Sequence, residues 1–140
     1  MHVREFPEDS VCSDAMLNNI PGPVAFYGWN GENVDIVRFN NQFARFVHLD
    51  ADALEERRYH IRNLFVEEDR PKFFAMLDDA YKDRINGAKG LFRVYSPDGS
   101  VFWTQVLVYY PRNENGRQIY YGSLTDMTEV MTLRDRIKRL

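Results

Sequence analysis

Apolar and polar residues change period several times along the chain, and each change marks a predicted element. Residues 1–10 are polar and aperiodic, which predicts a mobile N-terminal arm over 1–11. Ser13 or Asp14 can cap a short helix reaching about Asn19. Ile20-Pro21-Gly22-Pro23 ends it, since proline fixes φ and removes a backbone donor. Val24 to Trp29 is an unbroken apolar run and predicts a buried strand. Asn30-Gly31 is a hairpin-turn signal, and Val34 to Phe39 is the returning strand. In it Val34, Ile36 and Arg38 should alternate against Asp35, Val37 and Phe39. Asn40-Asn41 can cap the next helix, where Phe43, Phe46 and Val47 share a face.

Residues 50–65 are mixed and predict only short helical pieces. Glu68-Asp69-Arg70-Pro71 supplies a carboxylate cap and a first-turn proline. The helix that follows carries Phe73, Phe74, Leu77, Ala80 and Tyr81 as its apolar stripe and ends at Asn86-Gly87. Three strands then form a meander: Gly90 to Tyr95, Val101 to Tyr110 and Gln118 to Thr125. Ser96 to Ser100 and Asn113 to Gly116 are the turns between them. A last helix starts near Asp126 or Thr128. Its Val130, Leu133, Ile137 and Leu140 are spaced as a and d positions of a heptad. The pattern is still running at residue 140, which predicts a helix that continues into a further segment.

Composition narrows the function. With 18 Lys plus Arg against 21 Asp plus Glu, the net charge of −3 gives no basic face for nucleic acid. Arg134, Arg136, Lys138 and Arg139 are interrupted by Asp135 and read as a solvated helix face. Cys12 is the one cysteine, so no intrachain disulfide can form, and no Cys/His cluster has zinc spacing. His2, His48 and His60 are scattered. The chain shows no secretory leader and no apolar run near the ~20 residues a membrane span needs. A cytoplasmic domain is expected, whose parent could still be membrane-attached. Glu55-Glu56, Glu67-Glu68-Asp69 and Asp78-Asp79 read as caps and solvated faces, because adjacent carboxylates diverge on a helix. With no Ser/His/Asp or Cys/His arrangement and no phosphate-binding glycine loop, no catalysis is expected of this chain.

Several fragments resemble those of one family in order and spacing. Asn19 to Ala25 is similar to its opening step, in which a helix ends in a proline. Phe39-Asn40-Asn41-Gln42-Phe43 resembles its step into the first internal helix. Val66-Glu67-Glu68-Asp69-Arg70 resembles its acidic helix start, with Glu67-Glu68 in place of a common His-Pro. Phe92-Arg93, Asp98-Gly99-Ser100 and Phe102-Trp103 resemble its "fR…DGs…W" signature. Gly122 to Glu129 resembles its closing "G…DITE", with Met127 for isoleucine. Together they identify the chain as a member of the PAS family over about residues 12–128.

The resemblance implies an α+β, profilin-like fold: a five-stranded antiparallel sheet in the order 2-1-5-4-3, helices on one face and a C-terminal exit helix. Residues 12–126 would be the sensor domain and 127–140 the start of a coiled-coil-like signalling helix. It implies a small cavity between helices and sheet, with Phe26, Phe43, Phe65, Phe74, Leu77, Phe92 and Val106 as candidate lining. An aromatic cluster of this kind can equally be plain core, since ten phenylalanines in 140 residues can fill the space. The cofactor stays unknown. A flavin-adduct photosensor of this fold needs a cysteine in the helical region, and Cys12 lies outside it. A haem sensor takes its histidine from the long helix, here about 69–84, which has none; His60 reads as a loop residue. Non-covalent FAD stays open, with Trp103 able to stack on its ring. An organic acid would want a buried cation, and the candidates Arg38 and Arg93 are both expected to face solvent.

Trp103, Asp126 and Thr128 are the candidates for signal transmission. Asp126 can cap the exit helix and bond across to the neighbouring strand near Trp103, so a ligand that shifts the sheet would tilt the helix. Val130, Leu133, Ile137 and Leu140 would pair two copies as a homodimer. Three functions are weighed. The first is a signal-input domain driving a C-terminal output, a diguanylate cyclase or a histidine kinase, with the cyclase slightly preferred on family frequency. The second is a ligand-free interaction and dimerisation module. The third is a small stand-alone enzyme, which would need convergent polar groups that the sequence does not offer. A void of ~300 Å³ or more would favour a small-molecule ligand.

Overall fold

Strand β1 (Val24–Trp29) is buried on both faces, which is why its sequence is an unbroken apolar run. It is flanked by β2 (Val34–Phe39) and β5 (Arg117–Asp126), and β4 (Val101–Glu114) and β3 (Ala88–Tyr95) complete the sheet. The order is β2-β1-β5-β4-β3, with all neighbours antiparallel, as the family resemblance implied. The structure, a computed structural model, describes residues 14–48, 64–96 and 98–140. The predicted arm over 1–11, the Ser13 cap and nearly all of the mixed stretch 50–65 lie outside them. The helices are α1 (Asp14–Asn19), α2 (Asn41–Phe46), α3 (Arg70–Lys82) and α4 (Thr128–Lys138), with a 3₁₀ turn at Glu67–Asp69 before α3.

The two sheet faces carry separate clusters. Ala25, Tyr27, Val34, Ile36, Phe92, Val94, Val106, Val108, Tyr120 and Leu124 point toward α2 and α3, where Phe43, Phe73, Met76, Leu77 and Ala80 meet them. Burying each large side chain contributes about 1.5–3 kcal/mol. On the opposite face Val24, Phe26, Val37 and Ile119 pack under Leu17 of α1. Segment 64–66 lies along β3, with Val66 N–H donating to Arg93 O at 3.0 Å and Tyr95 N–H to Leu64 O at 3.1 Å. It thereby covers a sheet edge that would otherwise expose free donors and acceptors.

Asn40, between β2 and α2, uses its whole hydrogen-bonding capacity. Its Oδ1 accepts from Phe43 N–H (2.9 Å) and Val24 N–H (3.2 Å), and its Nδ2 donates to Gly22 O (3.0 Å) and Leu17 O (3.2 Å). It therefore caps α2, as predicted, and also ties α1 and the proline turn to the sheet.

The strands differ from the sequence pattern in two places. In β2 the register steps between Phe26↔Arg38 and Tyr27↔Ile36, so one extra residue is inserted. The bulge breaks the expected alternation: Val34, Ile36 and Phe39 face the helices, while Val37 joins the opposite cluster. The second place is β4, which runs four residues past Tyr110. The register shifts between Tyr109 and Arg112, which takes Pro111 out of the ladder, and a two-residue turn with positive φ at Asn115 and Gly116 closes the hairpin.

Candidate functional site

The seven predicted cavity residues divide among three places. Phe43, Phe65, Phe92 and Val106 are buried on the helix side of the sheet. There Phe65 stacks on Phe92 (centroids 5.0 Å apart) and both rings meet Phe73, at 5.1 and 5.7 Å. Rings in mutual contact fill this part of the interior. Phe26 points to the other face, edge-on to Tyr121 at 5.3 Å, because the strand period turns it away from Ala25 and Tyr27. Phe74 and Leu77 line an open pocket of about 250 Å³ between α3 and the β1–β5 pair.

Five further residues complete that pocket: Trp29, Asp78, Tyr81, Gln118 and Tyr120. Sequence reasoning missed them, although a signal existed. Phe74, Asp78 and Tyr81 follow the i, i+4, i+7 spacing of one helix face, beside the Phe73, Met76, Leu77 and Ala80 stripe that enters the core. Trp29 ends β1 on the face of Tyr27, with its ring 5.5 Å from Phe74. The Tyr120 hydroxyl donates to Gln118 Oε1 at 2.7 Å. Burial first, with the Asp78 charge a smaller cause, pushes the Tyr120 phenol up to about 12, so it stays neutral. Deeper in the core, the hydroxyl of the fully buried Tyr27 has no hydrogen-bond partner among the described residues, and burial raises its pKa.

A second constellation joins the start of α3 to the exit helix α4. Asp69 is only 4 % exposed. Its carboxylate does not cap α3, as the sequence suggested. It accepts instead from the Arg93 backbone N–H at 2.7 Å and from Arg93 Nε and Nη2 at 3.2 and 3.0 Å. Burial alone would raise the Asp69 carboxyl, but the side-chain and backbone hydrogen bonds from Arg93, with the charges of Arg93 and Lys72, hold it below its ordinary value. Arg93 is thus engaged by protein and not directed to solvent. Arg38, the other predicted solvent-facing cation, is 6 % exposed, because the β2 bulge pairs it with Phe26 beneath α1.

Arg93 pairs across the ladder with Trp103 and sets its guanidinium carbon 5.7 Å from the indole centroid. Trp103 in turn holds α4. Its N–H donates to Thr128 Oγ1 at 3.0 Å, and its carbonyl accepts from Met127 N–H at 2.9 Å. Asp126 Oδ1 accepts from Thr128 N–H at 2.9 Å, a local turn bond just ahead of the helix; the N-cap position itself is Met127, which has no side-chain cap, so Asp126 is not the cap that the sequence suggested. The bond across to the neighbouring strand is made by Thr128 and not by Asp126. Beyond this first turn α4 buries no residue; Val130, Leu133, Ile137 and Leu140 are between 40 % and fully exposed.

A PAS domain family model matches residues 23–129. The chain belongs to the PAS family. A search of curated proteins finds no match. Among solved structures, the domain is similar to the PAS domain of a protein from Colwellia psychrerythraea, with a TM-score of 0.65 and 15% identity over 81% of this chain and 92% of that one. A PAS domain from a two-component sensor histidine kinase gives a TM-score of 0.60 at 15% identity, over 81% and 91% of the two chains. An RNA-binding light-oxygen-voltage receptor gives 0.67 at 17% identity, over 98% of this chain and 40% of that one. At these identities the likeness establishes the shared PAS fold. Among the described residues, no helix is long and apolar enough to cross a membrane.

Proposed function

We propose that this PAS domain is the non-catalytic input module of a signalling protein, pairing as a homodimer through α4 and biasing an output domain C-terminal to it. One observation carries the reading: α4 is hung from Trp103 by its first turn, while its apolar heptad seam lies bare. A seam of that spacing is satisfied by a second helix of the same kind. The chain Asp69–Arg93–Trp103–Thr128 gives a change near α3 a contiguous route to the hinge of α4. Between the two outputs, a histidine kinase is favoured, because two similar structures come from histidine kinases.

A small ligand in the α3–sheet pocket is the input we favour. At about 250 Å³ the pocket falls short of the ~300 Å³ that would favour a ligand on volume, so the reading rests on its aromatic and acidic lining, and the ligand would have few heavy atoms. The mutual packing of Phe65, Phe73 and Phe92 favours the second reading, a ligand-free dimerisation module, for the deeper interior.

The test is the native mass of the domain and of the double variant Leu133→Asp, Ile137→Asp. The expected result is a dimer that the variant converts to a folded monomer, since both side chains are exposed in one copy. A wild-type monomer at high concentration, or a variant that still pairs, would refute dimerisation through α4.

A further inference from the structure

The α3–sheet pocket has a composition that selects one class of ligand. Four of its lining side chains are aromatic: Trp29, Phe74, Tyr81 and Tyr120. Among the described residues, its one charged lining residue is Asp78, and no Lys or Arg lines it. Lys82 and Arg84, both nearby, are already engaged. Lys82 Nζ pairs with Asp78 Oδ2 at 2.9 Å on the solvent side, an exposed contact that a competing cation can replace. Arg84 lies over the ring of Tyr110, 4.9 Å from its centroid, and donates to Pro111 O at 2.9 Å. Tyr110 in turn touches Tyr81 and Tyr120, at 5.0 and 5.3 Å, so the outer end of this aromatic stack already holds a cation.

We infer that this pocket binds a small alkylated ammonium ion, on the faces of Trp29, Phe74, Tyr81 and Tyr120 and beside the Asp78 carboxylate. The inference rests on the reading of the pocket as the input site and adds the chemistry of its ligand. An anion would meet Asp78 and the negative faces of the rings. A neutral apolar molecule would meet the rings but make no use of the Asp78 charge. A primary ammonium could bond Asp78 as Lys82 does, but it is strongly hydrated and would leave most of the aromatic lining unused. An alkylated ammonium needs few acceptors, is weakly hydrated and is drawn to ring faces within about 6 Å. The volume of about 250 Å³ suits an ion of that size.

The test titrates the intact domain with choline and with 3,3-dimethylbutan-1-ol, its neutral carbon isostere, at matched ionic strength. Binding is read from the indole N–H signals of Trp29 and Trp103 and from the backbone amides in ¹H–¹⁵N spectra. Choline should shift the Trp29 signal saturably, with the isostere at least about tenfold weaker. Asp78→Asn, an exposed and structurally mild change, should weaken choline severalfold and leave the isostere unchanged. Equal binding of the two probes, shifts confined to surfaces away from Trp29, or no saturable shift at tens of millimolar choline would each overturn the ammonium assignment. The amides of Trp103 and Thr128 keep the two readings apart. If choline binds at Trp29 and those amides stay still, the ligand class stands and the input reading fails. If the isostere binds equally and moves them, the input reading stands and the ammonium is wrong.

Discussion

Replacing Asp69 isolates the joint between α3 and β3. The carboxylate is buried and accepts three bonds from Arg93, one from backbone and two from the guanidinium. A hydrogen bond to a charged group is worth about 1.5–3 kcal/mol, and an orphaned partner costs about 1–3 kcal/mol. The Arg93 side chain is about a third exposed and also lies 3.7 Å from Glu68, so it can turn to water and its share must be discounted. Asp69→Ala should therefore destabilise by about 2–3 kcal/mol, and Asp69→Asn, which keeps an acceptor for the Arg93 N–H, by about 1 kcal/mol. At roughly 3–5 °C per kcal/mol for a domain this size, the alanine variant should melt about 6–15 °C lower. Urea unfolding followed by circular dichroism gives the free energies directly.

The pH dependence is a second check on the same site. The folded pKa of Asp69 lies below its ordinary value of 3.8, so the stabilisation is fully present above that value and is lost as pH falls through the folded pKa. The gap between wild type and Asp69→Asn should hold from neutral pH to about 5 and close below about 4. Asp83 and Asp98, held low chiefly by the Asn86 backbone N–H and the Ser100 hydroxyl respectively, titrate in both proteins and cancel. A gap under about 0.5 kcal/mol at neutral pH, or one that persists unchanged into strong acid, would refute the clasp.

Three other substitutions probe the remaining features. Thr128→Val removes the acceptor for Trp103 N–H and should cost about 1 kcal/mol, with faster hydrogen exchange concentrated in α4; uniform acceleration across the sheet would argue against a local hinge. Tyr27→Phe deletes a buried hydroxyl without a partner among the described residues and should leave the protein at least as stable, by up to about 1 kcal/mol in chemical unfolding. A loss beyond that would mean the hydroxyl is bonded in solution. Gly87→Ala should be severe, about 3 kcal/mol or more by thermal melting, because φ is +68° and the new Cβ would lie 2.3 Å from the Val108 carbonyl oxygen; a near-neutral result would place that loop elsewhere.

Much of the architecture was legible because local signals agreed with it. The bounds of β1 and β2 follow from an apolar run and a turn, and α2 from an asparagine cap. The misses have one common physical origin. Residues such as Asp69, Arg38 and Arg93 carry strong local preferences, for a helix cap or for water, which pairing across the fold overrides. Asp69 reads as a helix cap until β3 is set beside it, and Arg38 reads as exposed until one inserted residue turns the strand. The pocket was half legible: α3 announces Phe74 and Leu77, but Trp29, Gln118 and Tyr120 join them only once β1 and β5 pair.

Asn40 reverses the usual map of mutational tolerance. Connections between elements generally accept substitution more readily than the elements they join. At this junction an aspartate would keep the two acceptances and lose both donations, setting a carboxylate against the carbonyls of Leu17 and Gly22. A glutamine would carry the same amide one methylene too far into a site that is closed to solvent. In a saturation library scored for folded protein, position 40 should therefore be as depleted as the phenylalanines of the core. The cost would fall on α1, where the Leu17 carbonyl would lose the amide that joins it to the sheet beside its apolar packing.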